Sequence, residues 1–156
     1  YDLLLQDTVP SWLYEVKAGG TSIWERWDAL RPDGTVNLGK DPGSGLVNAV
    51  GGGMVSFNHY ANGAVGDWLY RRVAGLEAIE PGYKKFKVAP LVGGGLTSVS
   101  CFKKLSSGTI KINWNFENGV FVLSINVPFN TSAVITLPDG KSFEVSSGKY
   151  VYSVEM

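Results

Sequence analysis

Residues 21–28 read Thr21-Ser22-Ile23-Trp24-Glu25-Arg26-Trp27-Asp28, which sets one carboxylate, Glu25, between two tryptophans. That combination suits saccharide chemistry. An aromatic face offers the apolar side of a sugar ring a platform, and a carboxylate acts as acid, base or hydrogen-bond acceptor. The same spacing also fits a structural arrangement. Trp24 and Trp27 are three residues apart, so they can share one face of a helical turn as core, with Glu25 a solvated neighbour.

The other residue whose type could do chemistry is His59, the single histidine, within Ser56-Phe57-Asn58-His59-Tyr60-Ala61. Apolar residues 57, 61, 64, 65, 68 and 69 recur with the helical period, predicting an amphipathic helix capped by Ser56. His59 is then rotated about 200° from Phe57, off the stripe and near the positive end of the helix dipole. A lone histidine is most often structural or exposed. This one, beside Asn58 and shortly after a glycine-rich loop, favours a site role.

The elements that must position these residues can be read from the surrounding sequence. Residues 1–6 read as the end of a helix continuing from a longer chain. Pro10 suits a first helical turn, and residues 11–18 form a short helix with Trp12, Leu13 and Val16 as its apolar face, ended by Gly19-Gly20. Residues 29–55 hold the turn Arg31-Pro32-Asp33-Gly34 and the triplet Gly51-Gly52-Gly53. A loop of this length is a rim beside a pocket or a plain surface connection. The triplet lacks the lysine-serine pair and preceding strand of a phosphate loop.

Residues 77–83 read as a linker, and beyond it the apolar period falls to two. Alternation predicts strands around 86–88, 96–103, 108–116, 120–127, 133–137, 142–146 and 150–154, with Asn118-Gly119 and Asp139-Gly140 as hairpin turns. Seven short strands with tight turns indicate an antiparallel β-sandwich. Tyr83, Trp114, Tyr150 and Tyr152 are its candidates for stacking on sugar, though Trp114 lies on the alternating apolar face and reads as core.

Bulk composition narrows the functional classes. The 156 residues have zero formal net charge, which gives no electrostatic case for nucleic acid or for an anionic membrane. Residues 1–80 carry six basic and ten acidic side chains, whereas residues 81–156 carry eight and four. The shift from a net of −4 to +4 marks a boundary near residue 80. Cys101 is the single cysteine, so no intramolecular disulfide forms and no cysteine-based metal site is built. Its strand setting suggests a buried, inert thiol.

The pattern Thr-x-x-Trp-Glu-x-Trp-Asp, followed by Ser56-Phe57-Asn58-His59-Tyr60-Ala61, resembles the end of the catalytic domain of bacterial α-L-rhamnosidases, glycoside hydrolase family 78. The resemblance continues through Gly63-Ala64-Val65-Gly66-Asp67-Trp68-Leu69-Tyr70, Val73-Ala74-Gly75-Leu76 and Pro81-Gly82-Tyr83-Lys84-Lys85. It covers nearly the whole chain, with the motifs in order.

The resemblance implies an α+β fragment: the last helices of an (α/α)6 barrel in residues 1–79, then an antiparallel β-sandwich in residues 80–156. It implies an inverting hydrolase releasing terminal α-L-rhamnose, with Glu25 matching the general base and His59 a histidine that contacts rhamnose. Trp24 would shape the pocket wall. Inversion uses two carboxyl groups about 6.5–9.5 Å apart. The family's general acid lies in a motif upstream of these residues. Asp28 and Asp33 are the nearest spare carboxylates, and neither sits in such a motif.

The fragment alone is therefore expected to be inactive. No metal or cofactor is expected. Partners would be rhamnose-containing glycosides or polysaccharides, with neither nucleic acid nor membrane, and the fragment is expected to self-associate through exposed helices. Cytoplasm, periplasm and secretion all stay open. Two alternatives also stay open: a non-catalytic carbohydrate-binding module working through the sandwich, and a structural β-sandwich domain.

Overall fold

The structure is a computed structural model, and it describes residues 1–39 and 55–156. It divides into two compact units, residues 1–65 and 66–156. The expected Gly51-Gly52-Gly53 triplet and most of the expected loop rim lie outside the described residues.

In the first unit, α1 (Asp2–Leu5) is followed by α2 (Trp12–Lys17). Ser11 caps α2, its hydroxyl accepting the Tyr14 amide at 3.0 Å. The buried side of α2 differs from the expected one. Val16 is 66% exposed, whereas Glu15 is buried. A six-residue helix makes fewer than two turns, so the direction of its packing cannot be fixed by periodicity alone.

Residues 18–39 have little regular structure, yet hydrogen bonds tie them together. A tight turn at Arg31-Pro32-Asp33-Gly34 closes with Gly34 N–H on the Arg31 carbonyl, and Leu30 bridges Val36.

The helix expected from Ser56 is a correction. Residues 55–60 are not helical. From Ala61 the backbone passes through a 3₁₀ segment (Ala61–Ala64), α3 (Val65–Trp68) and a π segment (Leu69–Val73). Ser56 spends its hydroxyl on Asn58, accepting the amide at 3.1 Å, and does not cap a helix. The His59 amide bonds to Ile23, which holds it outside the helical ladder.

The second unit holds eight strands: β1 (Leu76–Ala78), β2 (Lys85–Val88), β3 (Ser98–Leu105), β4 (Gly108–Glu117), β5 (Val120–Val127), β6 (Ser132–Thr136), β7 (Ser142–Val145) and β8 (Gly148–Glu155). They form two four-stranded sheets, ordered β1-β2-β6-β7 and β3-β4-β5-β8. β1 falls in the expected linker, since three residues are too few to show an alternation.

The sandwich is also not wholly antiparallel. β2 and β6 pair in parallel, Phe86 opposite Ala133. Parallel neighbours need a long crossover, and β3, β4 and β5 supply it.

Period-two burial explains the core. Phe86, Val88, Ala133 and Ile135 from one sheet, and Ile110, Ile112, Trp114, Phe121, Leu123 and Ile125 from the other, are almost fully buried. Trp114 is core, its indole N–H donating to the Val73 carbonyl at 2.8 Å. Asn118 and Gly119 both take positive φ, as the β4–β5 hairpin turn requires. Cys101 is half-buried, and burial raises its thiol pKa, which keeps it protonated and unreactive.

Candidate active site

Glu25 is exposed, but its main chain is not free. Its amide donates to the Ser56 carbonyl at 2.9 Å. In return the Ser56 amide donates to Glu25 Oε2 at 2.8 Å. The Asn62 side-chain amide reaches the carbonyls of Trp24 at 3.3 Å and Glu25 at 3.4 Å. Among the described residues, the other Glu25 oxygen accepts no hydrogen bond. Among the described residues, then, the carboxylate is held through Oε2 alone.

His59 is brought to the same place by backbone pairing. Its amide donates to the Ile23 carbonyl at 2.8 Å, two residues before Glu25. The Ser22 hydroxyl adds a bond to the Phe57 carbonyl at 2.7 Å. The segments 22–25 and 56–59 are therefore laced together. Nδ1 of His59 accepts the Ala61 amide at 3.3 Å, which assigns the proton of a neutral ring to Nε2. The ring stacks on Tyr60, which is 88% exposed.

Trp24 is 3% exposed and packs edge-to-face on Phe57 at 5.1 Å and Tyr14 at 6.4 Å. It has no open face for stacking on a ligand and can shape a wall only from behind. Trp27 meets Trp12 at 4.7 Å, and Trp12 donates its indole N–H to the Asn62 carbonyl. The two tryptophans of the motif therefore serve as the packing that carries Glu25.

The nearby spare carboxylates are engaged. Asp28 accepts from the Asn37 side chain at 2.8 Å and lies 3.5 Å from Arg26 Nε. Asp33 accepts from the Thr35 hydroxyl at 2.6 Å and amide at 2.9 Å, and these bonds pull its pKa below the usual carboxylate range. A carboxyl held ionised in this way is a poor proton donor.

One site residue escaped the sequence reading. Glu15 is 3% exposed, and its Oε2 accepts the Trp24 amide at 3.2 Å, one residue before Glu25. Among the described residues, its Oε1 is buried without a hydrogen-bond partner, and burial raises the pKa of the Glu15 carboxyl. Its position between Tyr14 and Val16 carries no signal that separates it from a solvated glutamate. Among the described residues, no group of three or more His, Cys, Asp or Glu side chains could hold a metal ion. No helix among them is long and apolar enough to cross a membrane.

Comparison with known proteins gives this geometry a family. Residues 75–152 match the family model of the bacterial α-L-rhamnosidase C-terminal domain, and residues 1–73 match that of the bacterial α-L-rhamnosidase six-hairpin glycosidase domain. The chain belongs to the bacterial α-L-rhamnosidase family. The structure is similar to native α-L-rhamnosidase from Aspergillus terreus, with a TM-score of 0.84 and 39% identity over 97% of this chain and 16% of that one. It is equally similar in TM-score, 0.84, to Streptomyces avermitilis α-L-rhamnosidase complexed with L-rhamnose, at 34% identity over 98% of this chain and 16% of that one. A curated α-L-rhamnosidase from Formosa agariphila is 36% identical over 91% of this chain and 14% of its own length. The chain thus spans a small part of the rhamnosidases it matches.

Proposed function

We propose that this chain is the C-terminal part of an inverting α-L-rhamnosidase acting on rhamnose-containing glycosides or polysaccharides, with Glu25 as general base. The observation that supports this most is the two-way bond between Glu25 and Ser56, which holds one carboxylate oxygen and, among the described residues, leaves the other without a partner. In this reading Glu25 takes a proton from water as the water oxygen bonds to the anomeric carbon. The glycosidic bond breaks on the opposite face, and a carboxylic acid upstream of these residues protonates the departing oxygen. His59 hydrogen-bonds the rhamnose through Nε2–H, and Trp24 supports the wall from beneath. The residues before the sandwich complete an (α/α)6 barrel with the rest of the parent chain. The fragment alone, lacking the acid, is inactive.

Proton NMR of the sugar first released by the full-length enzyme tests this reading. An α-L-rhamnoside should yield β-L-rhamnose before mutarotation. First release of the α anomer would contradict it.

A second reading has one observation in its favour. In the sandwich unit, a cleft of about 390 Å³ is lined by Tyr70, Arg71, Glu77, Tyr83 and Lys103 among others. Aromatic rings beside paired charges are what a non-catalytic carbohydrate-binding module would use. Lys103 Nζ, however, lies 4.9 Å from the Tyr83 ring centre and already covers that ring. Loss of rhamnoside binding on Tyr83→Ala, with binding kept on Glu25→Gln, would favour the module.

A further inference from the structure

We infer that Glu15 is a positioning residue for Glu25, acting through the backbone amide of Trp24, the residue just before it. The inference rests on the reading of Glu25 as a catalytic base, and it adds a residue that takes no part in the proton transfer.

The four backbone polar groups of Trp24 and Glu25 are all occupied. Asn62 reaches both carbonyls. Ser56 takes the Glu25 amide. The remaining group, the Trp24 amide, is taken by the carboxyl of Glu15 at 3.2 Å. Glu15 is itself fixed, because its carbonyl accepts the Gly20 amide at 2.9 Å and the residue is 3% exposed. The corner at Gly20 is tight. A Cβ there would lie 2.9 Å from the Glu15 carbonyl oxygen and 3.1 Å from Trp24 Nε1. The loop from α2 to Glu25 is therefore pinned at Gly20 and again at Trp24, both times to the same residue.

A buried carboxyl is a costly way to satisfy one amide, since desolvation opposes its charge and, among the described residues, Oε1 has no partner. A residue selected only for packing would avoid that cost. A catalytic base gains from it, because small displacements of a reacting group lower the rate steeply.

The test compares variants of nearly the same length in the full-length parent. Glu15→Met keeps the volume and removes the acceptor, whereas Glu15→Gln keeps an acceptor oxygen. Glu15→Met should lower kcat on a chromogenic α-L-rhamnoside by on the order of 10-fold or more. KM should stay within about 2-fold and the melting temperature close to wild type, and Glu15→Gln should recover most of the rate. Normal kcat in a folded Glu15→Met enzyme overturns the inference. A lowered melting temperature with normal turnover per folded molecule does the same.

If Glu15→Met does not fold, Glu15→Asp carries the test, since it withdraws the acceptor by one methylene. A several-fold loss of kcat at unchanged KM supports the inference, and an unchanged kcat overturns it. Placing Glu15→Met in a Glu25→Gln background separates this idea from the assignment of the base. Residues acting as a unit are non-additive, so the second change should cost little more. Full activity in Glu25→Gln alone would instead remove the base assignment, leaving the Glu15→Met effect to be judged by itself.

Discussion

Glu25 and Ser56 exchange two hydrogen bonds: the Glu25 amide donates to the Ser56 carbonyl at 2.9 Å, and the Ser56 amide donates to Glu25 Oε2 at 2.8 Å. The bonds join residues 31 positions apart, and they present a carboxylate from an irregular segment with the rigidity of a strand pair.

His59 shares this framework through its amide, while its ring stacks on Tyr60. His59→Ala in the parent should therefore leave the fold intact and weaken rhamnose binding by ~1–3 kcal/mol, the range for one lost polar contact. Calorimetric titration with rhamnose, together with a melting curve, checks it. Unchanged affinity with a lower melting temperature would make His59 structural.

Glu15 gives a pH signature. Burial raises its pKa in the folded state. Its contribution to stability is therefore fully present below the unfolded value, about 4.3, and is lost as pH rises through the raised folded value. Glu15→Gln cannot ionise. Its melting temperature should match wild type near pH 4 and exceed it near pH 8. Equal melting temperatures across that range would show that Glu15 is not ionising from a desolvated site.

How much of this was legible in the sequence depends on the length of the element. Strands β4 and β5 run for 10 and 8 residues, long enough for Ile110, Ile112, Trp114, Phe121, Leu123 and Ile125 to declare one buried face. β1 has three residues and could not. The parallel pairing of β2 with β6 depends on which edges meet after a long crossover, which local alternation does not encode. Around the site, apolar spacing suggested a helix from Ser56, but the bonds to Ile23 and Glu25 prevailed there. Those bonds join distant segments, and no local pattern announces them. Glu15 was invisible for the same reason, its partner lying nine residues away across a turn.

Gly75 is a position where only glycine fits. Its φ is +81°, and a Cβ would lie 2.3 Å from the Pro90 nitrogen and 2.4 Å from the Ala89 carbonyl carbon. Both are backbone atoms that cannot step aside. Gly75→Ala should destabilise the sandwich unit by more than the ~1 kcal/mol that such a change can gain at a compatible site. Urea unfolding followed by tryptophan fluorescence would measure the shift.

The first unit exposes large apolar side chains, with Leu3 at 50%, Val16 at 66% and Tyr60 at 88%. Apolar surface of this kind drives association. The 156-residue chain by itself should self-associate. Sedimentation velocity checks this, and a single monomeric species across a hundredfold concentration range would count against it.

The central claim is that Glu25 removes a proton from the attacking water, and Glu25→Gln in the full-length enzyme tests it most directly. The amide keeps the shape and can still accept the Ser56 amide, but it cannot take a proton. Turnover of a chromogenic α-L-rhamnoside should fall by about 10²–10⁴-fold while rhamnose affinity is largely kept. Turnover equal to wild type in the correctly folded variant would contradict the account.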